Sequence, residues 1–213
     1  MKNILVINSS PRTARSHTRK LTETFVDSWK GNVPDATIVY RDLGLEHVPH
    51  VSENWIAGAF KPAEERLPEE RKALLKSDEY IKELKDADII VIGAPMYNYS
   101  ITSSLKAYFD QVLRINETWK LNVDDLKNPY LGQLKNKKLF LLLSRSTQGF
   151  EEGGYNEKLN FQTTYLKAIL KMMGIIDVEE VILDGELFGE SNFQQSLINA
   201  HHQVTSIVTG LIG

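Results

Sequence analysis

Asp88-Ile-Ile-Val-Ile-Gly-Ala-Pro95 runs directly into Met96-Tyr-Asn-Tyr-Ser100. The first part is apolar without polar alternation, so it reads as a strand buried on both faces, the habit of a parallel sheet. Pro95 closes the run because it has no N–H to give to a ladder. It also holds Ala94 extended, so the loop beyond leaves in a fixed direction.

Four further runs flank this one: Ile4–Ile7, Ala36–Tyr40, Leu139–Leu143 and Val178–Leu183. Segments of helical period lie between them. One starts near Ser16 and buries Leu21, Phe25 and Trp29; a charged one spans about Glu69 to Ala87, with Leu74, Ile81 and Leu84 on one face. Leu105, Tyr108, Phe109, Val112 and Leu113 form a third apolar stripe. Leu166, Ile169, Leu170 and Met173 form a fourth that stops at Gly174, and Leu197, His201, Val204, Val208 and Leu211 form the last. Five strand–helix units imply an α/β chain with a doubly wound five-stranded parallel sheet and helices on both faces. No linker or repeat divides residues 1–213, so one domain is expected.

Composition narrows the class. Apolar residues make up 42% and charged residues 25%, in the ordinary globular range. Cysteine is absent, which excludes disulfides, thiol chemistry and iron–sulfur ligation. A net charge of −3 gives no footprint for nucleic acid. The N-terminal apolar run is too short for a secretory signal, and no run reaches membrane-spanning length, so a cytoplasmic protein is expected.

Ligands of such sheets bind at the carboxyl ends of the strands, near the switch in strand order. The loop after the first strand, Asn8 to Thr18, gathers hydroxyls and a helix N-terminus, which suits a phosphate. It lacks the glycine spacing of a nucleotide-triphosphate or dinucleotide loop. The loop Met96–Ser100 offers aromatic and thioether cover, with the Asn98 amide as a polar contact. Ser144-Arg-Ser-Thr-Gln-Gly149 follows the fourth strand; Arg145 reads equally well there as a surface charge. His47-x-x-His50 has no third ligand at a useful spacing for zinc.

Taken in order, the Ser-Ser pair ending the first strand, Ser16-His-Thr18, Ala94-Pro-Met-Tyr-Asn-Tyr99 and Ser144-Arg145 resemble the FMN-dependent NADH-azoreductases. The helix Ile101–Asp110 is also similar, and the likeness runs from about residue 2 to 211. The resemblance implies a flavodoxin-like fold and one FMN per subunit. Ser10, Ser16, His17 and Thr18 would hold its phosphate, and Met96, Tyr97, Asn98 and Tyr99 its ring. Ser144 and Arg145, then Ser146 and Thr147, would continue the site. It further implies NADH or NADPH as donor, alternating with a quinone or azo aromatic acceptor, and a homodimer with the flavin at its interface. The chain departs from the family pattern at Ser146-Thr147 (usually Gly-Gly), at Val123–Pro129, and at Lys61, where Arg is frequent.

Two competing readings are weaker. A flavodoxin-type electron carrier would want a more acidic docking face. A hydrolase on this fold would want carboxylates or a nucleophile, yet the loops after the first and third strands carry no acid. The connection Gly44–Pro68 is long and proline-bearing, so little regular helix is expected in it. Its Val48, Val51, Trp55, Ile56 and Phe60 are expected either to contact a second subunit or to fold back as a satellite core.

Overall fold

The computed structural model describes residues 2–212. Thirteen main elements follow one another in the chain. They begin β1 (Asn3–Asn8), α1 (His17–Asn32), β2 (Thr37–Asp42), α2 (Glu53–Ala59), α3 (Pro68–Asp86) and β3 (Ile89–Pro95). They continue with α4 (Ser103–Val112), the short pair β4 (Trp119–Leu121) and β5 (Tyr130–Gly132), and β6 (Lys138–Ser144). The last are α5 (Phe161–Met173), β7 (Asp177–Leu183) and α6 (Glu190–Ile212). The main sheet has the order β2-β1-β3-β6-β7, and every neighbouring pair is parallel. This is the doubly wound order with its switch point between β1 and β3.

Alternate strand residues divide between two cores. Leu5, Ile7, Ile90, Ile92, Leu139, Leu141 and Leu143 pack under the face covered by α3, α4 and α5, where Leu84, Leu105, Tyr108 and Leu166 meet them. Ile4, Val6, Ile89, Val91, Phe140 and Leu142 pack on the other face against Leu21, Phe25, Val204 and Val208 of α1 and α6. Burial of both faces is why the central runs carry no alternation. β2 is an edge strand, and its Val39 and Tyr40 are exposed accordingly.

Three local features differ from the sequence-based expectation. Pro49 and Pro62 flank α2 without entering it, so Ser52 caps a two-turn helix by accepting from Trp55 N. Trp55 turns back onto its own chain: it is buried with Ala59 and Leu74, and its Nε1 donates to Gln111 Oε1 at 2.8 Å. Val48 is buried as well, whereas Val51, Ile56 and Phe60 remain exposed. The connection after α4 contains the β4–β5 hairpin, which has only three residues per strand and too short a pattern to read. Leu211 is exposed; Phe193 and Ala200 join Val204 and Val208 on the buried face of α6 instead.

Gly174 ends α5 in the left-handed region at φ 94°, as a C-cap does. Its backbone touches the hairpin: a Cβ on Gly132 would lie 2.1 Å from Gly174 N and 2.3 Å from its Cα. Neither backbone segment gives way cheaply, so Gly132→Ala should lower unfolding stability by about 1–3 kcal/mol. Gly31 in α1 has nothing within 4 Å of such a Cβ. Gly31→Ala should therefore stabilise by roughly 0.4–1 kcal/mol. Denaturant midpoints of the two variants should move in opposite directions.

Candidate functional site

A cavity of about 330 Å³ opens at the carboxyl ends of β1, β3 and β6. The first loop supplies Ser10, Arg12, Arg15, Ser16 and His17 to its wall. Pro95, Met96, Tyr97 and Asn98 come from the loop after β3, and Ser144, Arg145 and Ser146 from the loop after β6. Leu183, Glu186 and Phe193 close it from the end of β7 and the start of α6.

The first loop owes its shape to Arg19. That side chain donates through Nε to Arg12 O (2.8 Å) and through one terminal nitrogen to Ser10 O (2.7 Å). Both terminal nitrogens also reach the Asp42 carboxylate at 2.6 Å, tying the loop to the end of β2. Gly44 makes the approach possible, since a Cβ there would sit 2.0 Å from Ser10 O. Ser16 caps α1 by accepting from Arg19 N, and its Oγ lies 3.2 Å from Thr18 Oγ1. Ser16 and His17 thus bring the N-terminus of α1, where first-turn N–H groups have no intrahelical acceptor, to the wall that Arg12 and Arg15 also line, a cradle for an anion.

The second wall is a tight hairpin. Met96 N donates to Ser144 O, and Tyr97 and Ser100 exchange backbone bonds at 2.9 and 3.0 Å. Asn98 (φ 48°) and Tyr99 (φ 68°) occupy the two central positions, both left-handed, as a two-residue turn of this hand requires. Asn tolerates that conformation better than most side chains. Tyr99 points its bulk outward and is half exposed.

Arg145 is not a surface charge: it is only 4% exposed. Its Nε donates to Gln162 Oε1 at 3.0 Å, and Gln162 Nε2 donates to Ala94 O at 2.9 Å, linking the ends of β3 and β6 to α5. The guanidinium carbon lies over the Phe150 ring, 5.3 Å from its centroid. Burial holds its pKa below the ordinary guanidinium value, against the attraction of Asp184, Glu180 and Glu151. It makes no ion pair among the described residues.

Nine of the anticipated side chains therefore meet at one cavity: Ser10, Ser16, His17, Met96, Tyr97, Asn98, Ser144, Arg145 and Ser146. Thr18 is buried behind Ser16, and Tyr99 and Thr147 stand outside the wall. Sequence reading passed over Arg12 and Arg15, although two arginines among hydroxyls were a visible sign of an anion site. Leu183, Glu186 and Phe193 had no comparable sign, because only the packing of α6 brings them there. Among the described residues no cluster of three metal-ligating side chains exists, so His47 and His50 find no third ligand. Among the described residues no helix is long and apolar enough to cross a membrane.

The fold and the place of the cavity define a flavodoxin-like protein, and the family model described as flavodoxin-like fold matches residues 2–207. An FMN-dependent NADH:quinone oxidoreductase of Trichormus variabilis is 39% identical over 96% of this chain and 95% of its own. One of a Nostoc species is 39% identical over 98% of this chain and 99% of its own. The crystal structure of an azoreductase from Bacillus anthracis superposes with a TM-score of 0.88, at 26% identity, over 98% of this chain and 99% of that one. The chain belongs to the flavodoxin-like family that contains these FMN-dependent NADH:quinone oxidoreductases.

The clamp on the first loop carries a pH signature. Burial alone would raise the Asp42 carboxyl, but hydrogen bonding and charge from Arg19, with the amides of Gly44 and Leu45, hold it below the usual carboxylate range. A carboxyl depressed by folding adds stability above its unfolded pKa of about 3.9 and loses it as pH falls through the folded value. Asp42→Asn should lower unfolding free energy by about 1–3 kcal/mol at neutral pH. The gap to the parent protein should hold down to about pH 5 and close below about pH 4, as urea titrations across that range would show.

Proposed function

We propose that the chain is an FMN-dependent NAD(P)H:quinone oxidoreductase that also reduces azo aromatics. The observation that carries this reading is one cavity joining an anion cradle to a wall of thioether, aromatic and amide groups at the switch in strand order. An anionic end group fits the α1 N-terminus between Ser10, Ser16, Arg12 and Arg15. His17 Nδ1 is buried there without a partner, a donor or acceptor still to be satisfied. A flat ring fits against Met96 and Tyr97, with the Asn98 amide and the Ser144 and Ser146 hydroxyls at its polar edge.

When bound, FMN supplies the two-electron chemistry between nicotinamide and acceptor. The protein's part is to fix one anion and one ring plane and to keep a single open face for both substrates in turn. Ser10, Ser16, His17 and Thr18 serve the phosphate end, Thr18 through its contact with Ser16. Met96, Tyr97 and Asn98 hold the ring, and Tyr99 fixes the turn that presents them. Ser144, Arg145 and Ser146 form the far edge, where the buried Arg145 charge favours electron-rich groups. No second cleft with a dinucleotide fingerprint accompanies this one in the sequence, which supports alternation of NADH or NADPH with the quinone. Dependence on a nicotinamide donor supports a cytoplasmic setting.

Purified protein should be yellow, release FMN on denaturation, and give parallel double-reciprocal lines with a nicotinamide donor and a menadione-like quinone. A colourless protein that cannot be reconstituted with FMN would refute the reading. Asn98→Ala should weaken FMN about 5- to 150-fold, from the 1–3 kcal/mol of an unmet buried hydrogen bond. Asn98→Gly accepts the left-handed backbone without strain. Equal losses in both variants assign the effect to the amide; retention in the glycine variant would assign it to the turn alone.

The homodimer belongs to the same proposal. Ile56 and Phe60 on α2 and Leu75 on α3 remain exposed at 49%, 67% and 65%, on two helices packed against each other. Apolar surface of this kind marks contact sites. Sedimentation should give about twice the 24.2 kDa chain mass at micromolar protein. Phe60→Asp should shift the protein toward monomer and lower turnover together. A fully active monomer would refute a shared site. Trp55 is unsuited to this test, since it supports its own subunit.

A further inference from the structure

One carboxylate lines the anion cradle. Glu186 borders the cavity from the short turn Glu186–Phe188 ahead of α6, and its Oε1 lies 3.6 Å from His17 Nε2. A bare carboxylate beside a bound phosphate opposes it, and like charges in juxtaposition cost affinity. His17 stands between the two. Its ring is held edge-on by Phe193 at 5.0 Å, its Nε2 faces Glu186, and its Nδ1 is buried with no partner. A protonated imidazole is a donor at both nitrogens. It can then serve Glu186 on one side and an anion on the other.

We infer that Glu186 makes anion binding at the α1 N-terminus conditional on a proton at His17, so that the grip on the phosphate of FMN weakens as pH rises. This rests on the FMN reading above and adds a control to its phosphate end. With the proton in place the His17–Glu186 pair is neutral and one more donor faces the anion. Without it, Glu186 keeps a negative charge in the same wall that His17 no longer offsets. Among the described residues, charged groups near His17 include Arg12 and Arg15 on the preceding loop, Lys20 on the next turn of α1, Arg145 across the cavity and His201 on α6. The arginines stay charged across the physiological range. His201 bonds Thr24 Oγ1 at 2.6 Å, and burial, Lys20 and His17 all lower its pKa. Glu186 is thus the one carboxylate in the cavity wall among the described residues.

The pair makes a double-mutant cycle. FMN dissociation constants of the apoprotein, read by flavin fluorescence, should weaken roughly tenfold between about pH 5.5 and about pH 8.5, where histidine titrates. Riboflavin, which lacks the phosphate, should show no such trend. His17→Gln should leave only the dependence contributed by the phosphate's own second ionisation near about pH 6. Glu186→Gln should bind FMN more tightly than the parent at the alkaline end and flatten the profile. Parallel profiles for the parent and Glu186→Gln would overturn the inference. Inorganic phosphate supplies the separate readout: in NMR titrations of the histidines it should raise the His17 midpoint in the parent protein. If phosphate raises that midpoint while neither flavin binds, the flavin reading falls and the proton control stands. If FMN binds and the His17 midpoint ignores phosphate, the reverse holds.

Discussion

The Arg19 guanidinium, shared between Asp42 and the carbonyls of Ser10 and Arg12, is the contact on which the site depends. A polar loop after a strand has many conformations of similar energy, and ordering it costs on the order of 1–2 kcal/mol per residue in backbone entropy. Charge-assisted hydrogen bonds of this kind are about twice as strong as neutral ones. Three attachments from one side chain at helix position three restrain the loop at both ends of its turn. Because the same side chain reaches Asp42, the loops after β1 and β2 are fixed relative to each other before any ligand arrives. An anion site built this way is preorganised, so little of its binding energy is spent on ordering the loop.

The opposite side of the cavity is held by a different device with the same effect. Gln162 is fully buried and satisfies Ala94 O while accepting from Arg145. Removing it would leave a strand-end carbonyl and a buried cation both short of a partner. Met96 N to Ser144 O continues the β3–β6 ladder one step beyond the strands. The wall that faces the ring is consequently an extension of the sheet rather than a free loop, and the left-handed pair Asn98–Tyr99 turns it back within four residues.

How much of this was legible in the sequence follows from range. The five strands and the faces of α1, α3, α4 and α5 were readable because their patterns are long and local: Leu21–Phe25–Trp29 and Leu74–Ile81–Leu84 need no tertiary knowledge. The anticipated loops were readable because the doubly wound topology names the ends that matter. α2 was hidden because its signal is a seven-residue helix between two prolines, where punctuation outweighs propensity. Trp55 was ambiguous for a related reason: whether it faces a partner or its own chain depends on Gln111, 56 residues away. Arg145 illustrates the limit most clearly. A charged residue in a Ser-Thr-Gln-Gly loop reads as solvated, and only the meeting of Phe150, Gln162 and β7 makes it internal.

Net charge proves a poor guide to the cavity for the same reason. The chain as a whole carries −3, yet Arg12, Arg15 and Arg145 converge on one cavity against, among the described residues, the single carboxylate Glu186. The excess of acid is spent elsewhere: Glu46, Glu79 and Glu83 surround Arg41, and Asp78 meets Arg114, all on the side of α3. Each of those acids meets a cation within the fold, whereas, among the described residues, Arg145 has no ion pair and His17 Nδ1 no hydrogen-bond partner. Buried polar groups are ordinarily met. The unmet His17 nitrogen and the buried Arg145 charge with no counter-ion therefore mark the two points of this cavity best suited to a ligand with negative charge at one end and an electron-accepting ring at the other.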